Sequence, residues 1–311
     1  MEQAIAVPYL NYLPCYILRC LYSFHQRRPI MFKKIFAGLF IVCLLTLTGY
    51  SLYVDHTATN QPQTPTTINK DFQASATPTL FVHGWLGGGF TFNPMINQLA
   101  AKHAGGKVMT VTVSTTGPIN YYGHLNKKMA NPIIQIVFKR NSSFYRQEAH
   151  WLQQILVTLH KRYGVTSYNA VGHSWGGNAL VNQLLLDSNA STPKLHTLVL
   201  LGAPIDGAMH EGTPFATNNR PTRQSKNYRR LVARKSVLKR NRAIRIFNVY
   251  STLDGKLTDG AGANTQAQAM RYLVQGQVEH YQEQKLADLT HSQLHSKGTV
   301  TNLIAHDLWQ H

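Results

Sequence analysis

The chain has 311 residues, a formal net charge of +18 and only three cysteines. Because Cys15, Cys20 and Cys43 all precede residue 77, the globular part expected after that position has neither a disulfide nor a cysteine-ligated metal. Residues 77–311 are long enough to form one α/β domain with a sizeable hydrophobic core.

The N-terminal residues have the features of a targeting segment. Lys33 and Lys34 precede the largely apolar run Ile35–Val54, and about 20 apolar residues form a helix long enough to cross a bilayer. We therefore predict that residues 31–54 are a membrane anchor with the C-terminal part outside, since positive residues stay on the cytoplasmic side. A cleaved signal peptide is the alternative. Residues 1–30 are either an over-extended reading frame or a second short apolar segment.

The chain after residue 54 divides into a stalk and a domain. Residues 55–76 are rich in Thr, Gln, Asn and Pro, which predicts a flexible linker. Before residue 164, the elements predicted for the domain are a strand at Thr79–Val82, a helix opened by Asn93-Pro94 and ending near His103, a strand at Val108–Val113, an insertion at about 115–143 and a helix at Phe144–Tyr163.

The segment Gly172–Gly177 reads GHSWGG and fits the G-x-S-x-G pattern of a nucleophile elbow. In an elbow, a serine sits on a sharp turn between a strand and a helix. The preceding run Ser167–Val171 is of β type, and Asn178–Asp187 has apolar positions at helical spacing. A side chain at either glycine of the pattern would collide with the neighbouring strand or the incoming helix. Ser174 is therefore the predicted nucleophile.

The rest of the domain continues the alternation of strands and helices. Its predicted elements are strands at Thr197–Leu201, Ile244–Tyr250 and Val278–Leu286, a second insertion at about 205–243 and a closing helix at Thr299–Trp309. Strands that alternate with helices favour parallel pairing with helices on both faces. The predicted fold class is therefore α/β, with a mainly parallel sheet.

A serine nucleophile needs a histidine base and an acid that orients the base. The acid is expected after the second strand that follows the elbow strand. The base is expected before the last helix. Asp254 and Asp259 both stand at the first place. We favour Asp259 because the loop at residues 255–258 lets its side chain extend to the base, and because Asp-Gly is a favourable turn sequence. His291 and His295 both stand at the second place, and we favour His291.

The reaction also requires two backbone N–H donors for the developing oxyanion. One donor belongs to the residue after the nucleophile, which is Trp175. The other belongs to the loop after the first core strand, where His83-Gly84-Trp85 stands, so the N–H of Trp85 is the candidate.

Five segments together resemble one family: FVHGWLGGGFTF, GHSWGG, LLGAPIDG, TDGA and HSQLHSKGTVTNLI. They are similar to an α/β-hydrolase family of cell-surface hydrolases of Gram-positive bacteria, formerly a domain of unknown function, and also to small secreted lipases. The resemblance covers about residues 77–309. It implies an α/β-hydrolase fold, Ser174 as nucleophile, Asp259 as acid, His291 as base, and Trp85 and Trp175 as oxyanion donors.

The lipases share a pattern, H-x-x-L, in which the first histidine is the base. It matches His291 and Leu294, so the resemblance favours His291 over His295. The implied reaction needs no metal or cofactor.

This chain departs from the family in one segment, which is strongly basic where the family has a helix of modest charge. Eleven basic residues and no acidic residue lie between Glu211 and Asp254. The run 226–242 is compatible with a helix, which predicts either a solvated cap over the active site or a surface for anionic lipid or wall polymer. The residues expected to contact such a polymer are Arg229, Arg230, Arg234, Lys235, Lys239 and Arg240. A nucleic-acid partner is not expected for a protein outside the cell.

These patterns predict an extracytoplasmic, cell-surface or secreted serine hydrolase of the lipase/esterase type, which cleaves carboxylic esters through an acyl-enzyme. The alternative is a membrane- or wall-polymer-binding protein with a cationic surface and a degenerate triad.

Overall fold

The computed structural model describes residues 67–142, 144–207 and 214–310. The strands in this part of the chain are β1 (Thr79–Val82), β2 (Gly106–Val113), β3 (Ile119–Gly123), β4 (Pro132–Phe138), β5 (Ser167–His173), β6 (Lys194–Leu201), β7 (Arg245–Ser251) and β8 (His280–Leu286). They form one eight-stranded sheet in the order β3-β2-β4-β1-β5-β6-β7-β8. Strands β2 and β3 pair antiparallel, and the other neighbouring strands pair parallel. The predicted fold class is confirmed.

The helices connect these strands. They are α1 (Gly89–Ala101), α2 (Tyr145–Tyr163), α3 (Trp175–Asn182), α4 (Lys226–Arg234), α5 (Asn264–Gln268), α6 (Met270–Val274) and α7 (Gly298–Trp309). Helix α3 continues as a π-helical turn at Gln183–Asp187, and α4 continues as a 3-10 helix at Lys235–Asn241. A further 3-10 turn at His291–His295 precedes α7.

Two hydrophobic cores cover the two faces of the sheet. Successive side chains of a strand point to opposite faces. Leu80 and Leu200 accordingly pack in one apolar cluster, while Phe81 and Val199 pack in the other. Because both faces are buried, the central strands have continuous apolar runs in the sequence rather than alternating ones.

The first helix begins earlier than the sequence predicted. Asn93-Pro94 was expected to open it, and this is wrong, because α1 begins at Gly89 and contains Pro94. The N–H of Gly88 donates to Thr91 Oγ1 (3.1 Å), which satisfies a backbone group at the start of the helix. Proline removes one helical hydrogen bond, but the burial of Phe92 and its apolar neighbours on the same face holds the turn in place.

The two predicted insertions contain elements of the core. Within 115–143 the structure places the edge strand β3 and the central strand β4, whose seven residues are all buried. Within 205–243 it places α4, which buries Tyr228 and Leu231 in a core cluster. Helix α4 lies on the crossover between the parallel strands β6 and β7, which such a pair requires. The basic segment is therefore partly a structural crossover.

Candidate active site

Ser174 occupies the turn between β5 and α3. Its backbone has φ +54° and ψ −125°, a conformation that serine rarely adopts. The N–H of Ser174 donates to the carbonyl oxygen of Leu201 (2.9 Å) at the end of the neighbouring strand β6. The side chain is partly exposed at the carboxyl edge of the parallel strands, which is where α/β sheets bind ligands.

The glycines of the elbow are required by close packing. A Cβ atom at Gly176 would lie 2.3 Å from the carbonyl oxygen of His83, which directly follows the neighbouring strand β1. A Cβ atom at Gly172 would lie 2.6 Å from the Cα of Gly177 in the incoming helix. Both distances are shorter than real Cβ contacts, so the predicted steric role of the two flanking glycines is confirmed.

The structure brings Asp259 and His291 together. His291 Nδ1 lies 2.6 Å from Asp259 Oδ2, and the backbone N–H of His291 donates to the Asp259 carbonyl oxygen (2.8 Å). The second carboxylate oxygen accepts the N–H groups of Ala261 (3.0 Å) and Gly262 (3.2 Å). Burial opposes ionisation, but these hydrogen bonds outweigh it and lower the pKa of Asp259. The carboxylate therefore remains ionised and orients the imidazole.

The alternative acid and base lie elsewhere. Asp254 is exposed in a tight turn at φ +49°, and in the part of the chain that the structure describes, the carboxylate that contacts the imidazole of His291 is that of Asp259. His295 is half-buried, and its ring packs on His173 (4.6 Å between ring centroids) and on Phe92 (6.1 Å). The described geometry therefore favours Asp259 and His291.

His173 links the nucleophile to the base. Its Nε2–H donates to the carbonyl oxygen of His291 (3.0 Å), and the two rings lie 4.4 Å apart. Burial, together with the neighbouring His291 and His295, lowers the pKa of His173 well below its usual range. A neutral His173, the residue directly before Ser174, thus holds the turn that carries His291. In the described residues, no hydrogen bond joins Ser174 Oγ to His291, and such bonds often tighten only when substrate binds.

The loop after β1 lies against the nucleophile. A Cβ atom at Gly84 would be 2.7 Å from Ser174 Cβ, so only glycine allows this approach. His83 anchors the loop, because its Nε2 accepts the N–H of Phe138 (3.0 Å) and its Nδ1–H donates to the Gly84 carbonyl oxygen (2.8 Å). Burial lowers the pKa of His83 to about 4, which keeps the ring neutral for both contacts. The next residue is Trp85, the predicted oxyanion donor.

Asn141 also holds the loop after β1, through hydrogen bonds with the backbone of Leu86 and Gly87. The N–H of Leu86 donates to the Asn141 carbonyl oxygen (2.8 Å), and Asn141 Nδ2 donates to the Gly87 carbonyl oxygen (2.8 Å). Leu86 has φ +56°, so the loop is held in a conformation that is strained for a leucine. The loop is therefore held by contacts with Asn141 as well as with His83.

The roles of His83, His173 and Asn141 were missed in the sequence. Each acts through a contact with a segment that is distant in the chain, as between His173 and His291. One signal was available, because a histidine stands at the carboxyl end of two adjacent buried strands: His83 directly follows β1, and His173 is the last residue of β5.

The basic segment exposes most of its charges. Arg229, Arg230 and Arg234 on α4 are exposed, as are Lys239 and Arg240 on the 3-10 helix. Lys235 differs, because its Nζ donates to the Tyr272 carbonyl oxygen (3.1 Å) and lies 3.9 Å from the centroid of the Tyr272 ring. This cation therefore has a structural contact of its own.

Among the described residues, no group of three or more histidine, cysteine or acidic side chains could hold a metal ion. None of the helices there is both long and apolar enough to cross a bilayer. The predicted anchor at 31–54, the segment 1–30 and most of the stalk at 55–76 lie outside the described residues.

The chain matches a known protein family and is similar in structure to solved proteins. The family described as "Alpha/beta hydrolase of unknown function (DUF915)" matches residues 66–311. The product of the Listeria innocua gene lin2722 is similar in structure, with a TM-score of 0.68 and 23% identity over 75% of this chain and 93% of that one. A "putative cell surface hydrolase" from Lactobacillus plantarum WCFS1 has a TM-score of 0.58 and 21% identity over 74% of this chain and 88% of that one.

No curated protein matches the chain. The two solved structures share the fold at low identity, and the family match spans the whole described domain. The chain belongs to this family of alpha/beta hydrolases.

Proposed function

We propose that the protein is a serine hydrolase that cleaves carboxylic esters. Two observations carry this proposal. Ser174 sits on a strained turn at the end of β5, and a buried Asp259 is hydrogen-bonded to His291, whose backbone carbonyl oxygen accepts from His173, the residue before Ser174. A nucleophile, a base and a group that orients the base are the three parts of acyl-transfer catalysis.

The proposed reaction has two halves. His291 takes the hydroxyl proton as Ser174 Oγ attacks the ester carbonyl, and a tetrahedral oxyanion forms. The C–O bond to the alcohol then breaks, and the imidazolium gives its proton to the leaving oxygen. In the second half, His291 takes a proton from water, the hydroxide attacks the acyl-enzyme, and the acid is released as Ser174 regains its proton.

The oxyanion is assigned to two backbone donors. The N–H of Trp175 lies at the start of α3, where the helix dipole favours negative charge. The N–H of Trp85 belongs to the loop that His83 and Asn141 hold. Removing one such donor typically costs about 10²- to 10³-fold in rate.

We also propose that the enzyme acts outside the cytoplasm. The support is the apolar run after Lys33 and Lys34, together with the similarity to a protein whose name places it at the cell surface. The proposed substrates are therefore esters of the membrane, the wall or the medium.

The direct test is hydrolysis of p-nitrophenyl acetate by the full chain and by Ser174→Ala. We expect turnover in the parent protein and a loss of about 10³-fold or more in kcat for the variant. Equal rates for the two proteins would contradict the assignment of Ser174.

The exposed cations favour one second candidate, a protein that binds an anionic polymer or membrane and has a degenerate triad. This candidate predicts salt-sensitive binding to anionic vesicles that survives Ser174→Ala, without ester hydrolysis in the parent protein. Turnover that depends on Ser174 would rule it out as the whole function.

A further inference from the structure

Exposed apolar side chains concentrate beside the nucleophile. Among the residues that the structure describes, six large hydrophobic side chains are exposed: Trp85, Leu86, Phe90, Tyr122, Phe144 and Leu257. Four of them follow two neighbouring parallel strands, with Trp85, Leu86 and Phe90 after β1 and Phe144 after β4. Phe144 is the most exposed of the six at 73%. Exposed apolar patches of this kind mark binding sites.

Trp175 joins this patch to the reaction centre. Its ring stacks on Phe144 (6.2 Å between centroids) and lies 6.4 Å from the ring of Trp85. The ring of Tyr145 meets it edge-on at 5.4 Å. Because Trp175 directly follows Ser174, the apolar surface begins one residue from the nucleophile. We call Trp85, Leu86, Phe144 and Trp175 the apolar patch.

Hydrogen bonds within the protein hold Leu86 at the edge of the patch. Leu86 holds a positive φ, a position where asparagine or glycine would be less strained, yet it presents an apolar side chain at 45% exposure. Its backbone is tied to Asn141, as described above. Strain that packing maintains at a site edge points to a functional role.

The order of the strands decides which part of an ester faces the patch. Strands β1 and β4 lie on one side of β5, whereas β7 and β8, which lead to Asp259 and His291, lie on the other. His291 must protonate the leaving oxygen, so the alcohol part of the ester lies on its side. The acyl part therefore extends toward β1 and β4.

We propose that the apolar patch binds the aliphatic acyl chain of the ester. This inference rests on the proposed function and names its substrate class, which is esters of medium and long fatty acids. Each methylene group that a site buries fully raises kcat/KM by about three- to four-fold. An open patch buries a chain only in part, so octanoate should be preferred over acetate by on the order of 100-fold.

The test compares p-nitrophenyl octanoate with the acetate, below their aggregation concentrations and in one fixed detergent. The full chain is compared with Phe144→Ala and Leu86→Asn, and Tyr122→Ala is the matched control because it removes an exposed aromatic ring on the far edge strand β3. We expect the octanoate-to-acetate ratio to fall about ten-fold in each patch variant and to stay within about two-fold in the control.

Three results would overturn the inference. The first is an octanoate-to-acetate ratio near one in the parent protein, and the second is an equal fall of this ratio in Tyr122→Ala. The third is a fall of kcat/KM for octyl acetate in the patch variants, which would show that the patch binds the alcohol part of the ester. The proposed function fails separately, through equal acetate turnover in the parent protein and Ser174→Ala.

Discussion

At the scale of single residues, the hydrogen bonds of Asp259 fit the role of the acid that orients His291. One carboxylate oxygen contacts His291 and the other accepts two backbone N–H groups. Asp254, only five positions earlier in the chain, is exposed on a turn. The two aspartates therefore form a matched pair for testing the orienting acid.

Asp259→Asn should lower kcat for p-nitrophenyl acetate by about 10³- to 10⁴-fold. The amide oxygen can still accept from Ala261 and Gly262, which leaves the amide N–H₂ facing His291 Nδ1 and favours the wrong tautomer. Asp254→Asn should leave kcat unchanged. An equal loss in both variants would contradict the role assigned to Asp259.

Glu148 is a buried acid that the proposed mechanism does not use. It lies on α2 with no exposed surface, and neither of its carboxylate oxygens has a hydrogen-bond partner among the residues that the structure describes. Burial raises its pKa from 4.5 to about 8. The folded state therefore binds more protons than the unfolded state between these values, so the free energy of unfolding falls as the pH rises through this window.

Glu148→Gln removes this titration and keeps the shape of the side chain. The variant should gain on the order of 3 kcal/mol in the free energy of unfolding at pH 7 and little at pH 4.5. Denaturant unfolding of both proteins at several pH values measures the difference. A stability gap that does not widen from pH 5 to pH 8 would contradict the buried, protonated Glu148.

At the scale of elements, the elbow depends on how closely α3 approaches β1. The approach places Gly176 against the backbone of His83, where a Cβ atom would be 2.3 Å from the carbonyl oxygen. Backbone atoms cannot move aside as a flexible side chain can. The packing of strand and helix, more than any single side chain, thus fixes the position of Ser174.

Gly176→Ala should therefore destabilise the fold by about 3 kcal/mol or prevent soluble expression. Gly298→Ala is the control, because it also adds a methyl group at the start of a helix but meets only Gln98 Oε1 at 3.4 Å. Thermal unfolding of the two variants compares the sites. A similar melting temperature for both would show that the close approach at Gly176 is not needed.

At the scale of the whole molecule, the sequence predicted the alternation of elements and the chain order of the candidate triad. These features depend on local patterns, such as the elbow motif and the apolar runs of the strands. Strand β4 was missed because its apolar run lies between polar segments with mixed signals, so 115–143 looked like an insertion. The positioning roles of His83 and His173 depend on contacts between distant segments. The local pattern shows only that each histidine stands at the end of an apolar strand, not which group it contacts.

The most direct test of the proposed triad of Ser174, His291 and Asp259 is covalent labelling of the full chain with a fluorophosphonate, followed by intact-mass and peptide mass spectrometry. We expect one adduct on the peptide that contains Ser174, no adduct in Ser174→Ala, and labelling that is strongly slowed in Asp259→Asn but not in Asp254→Asn. An adduct on another serine, or no adduct with the parent protein, would contradict this triad.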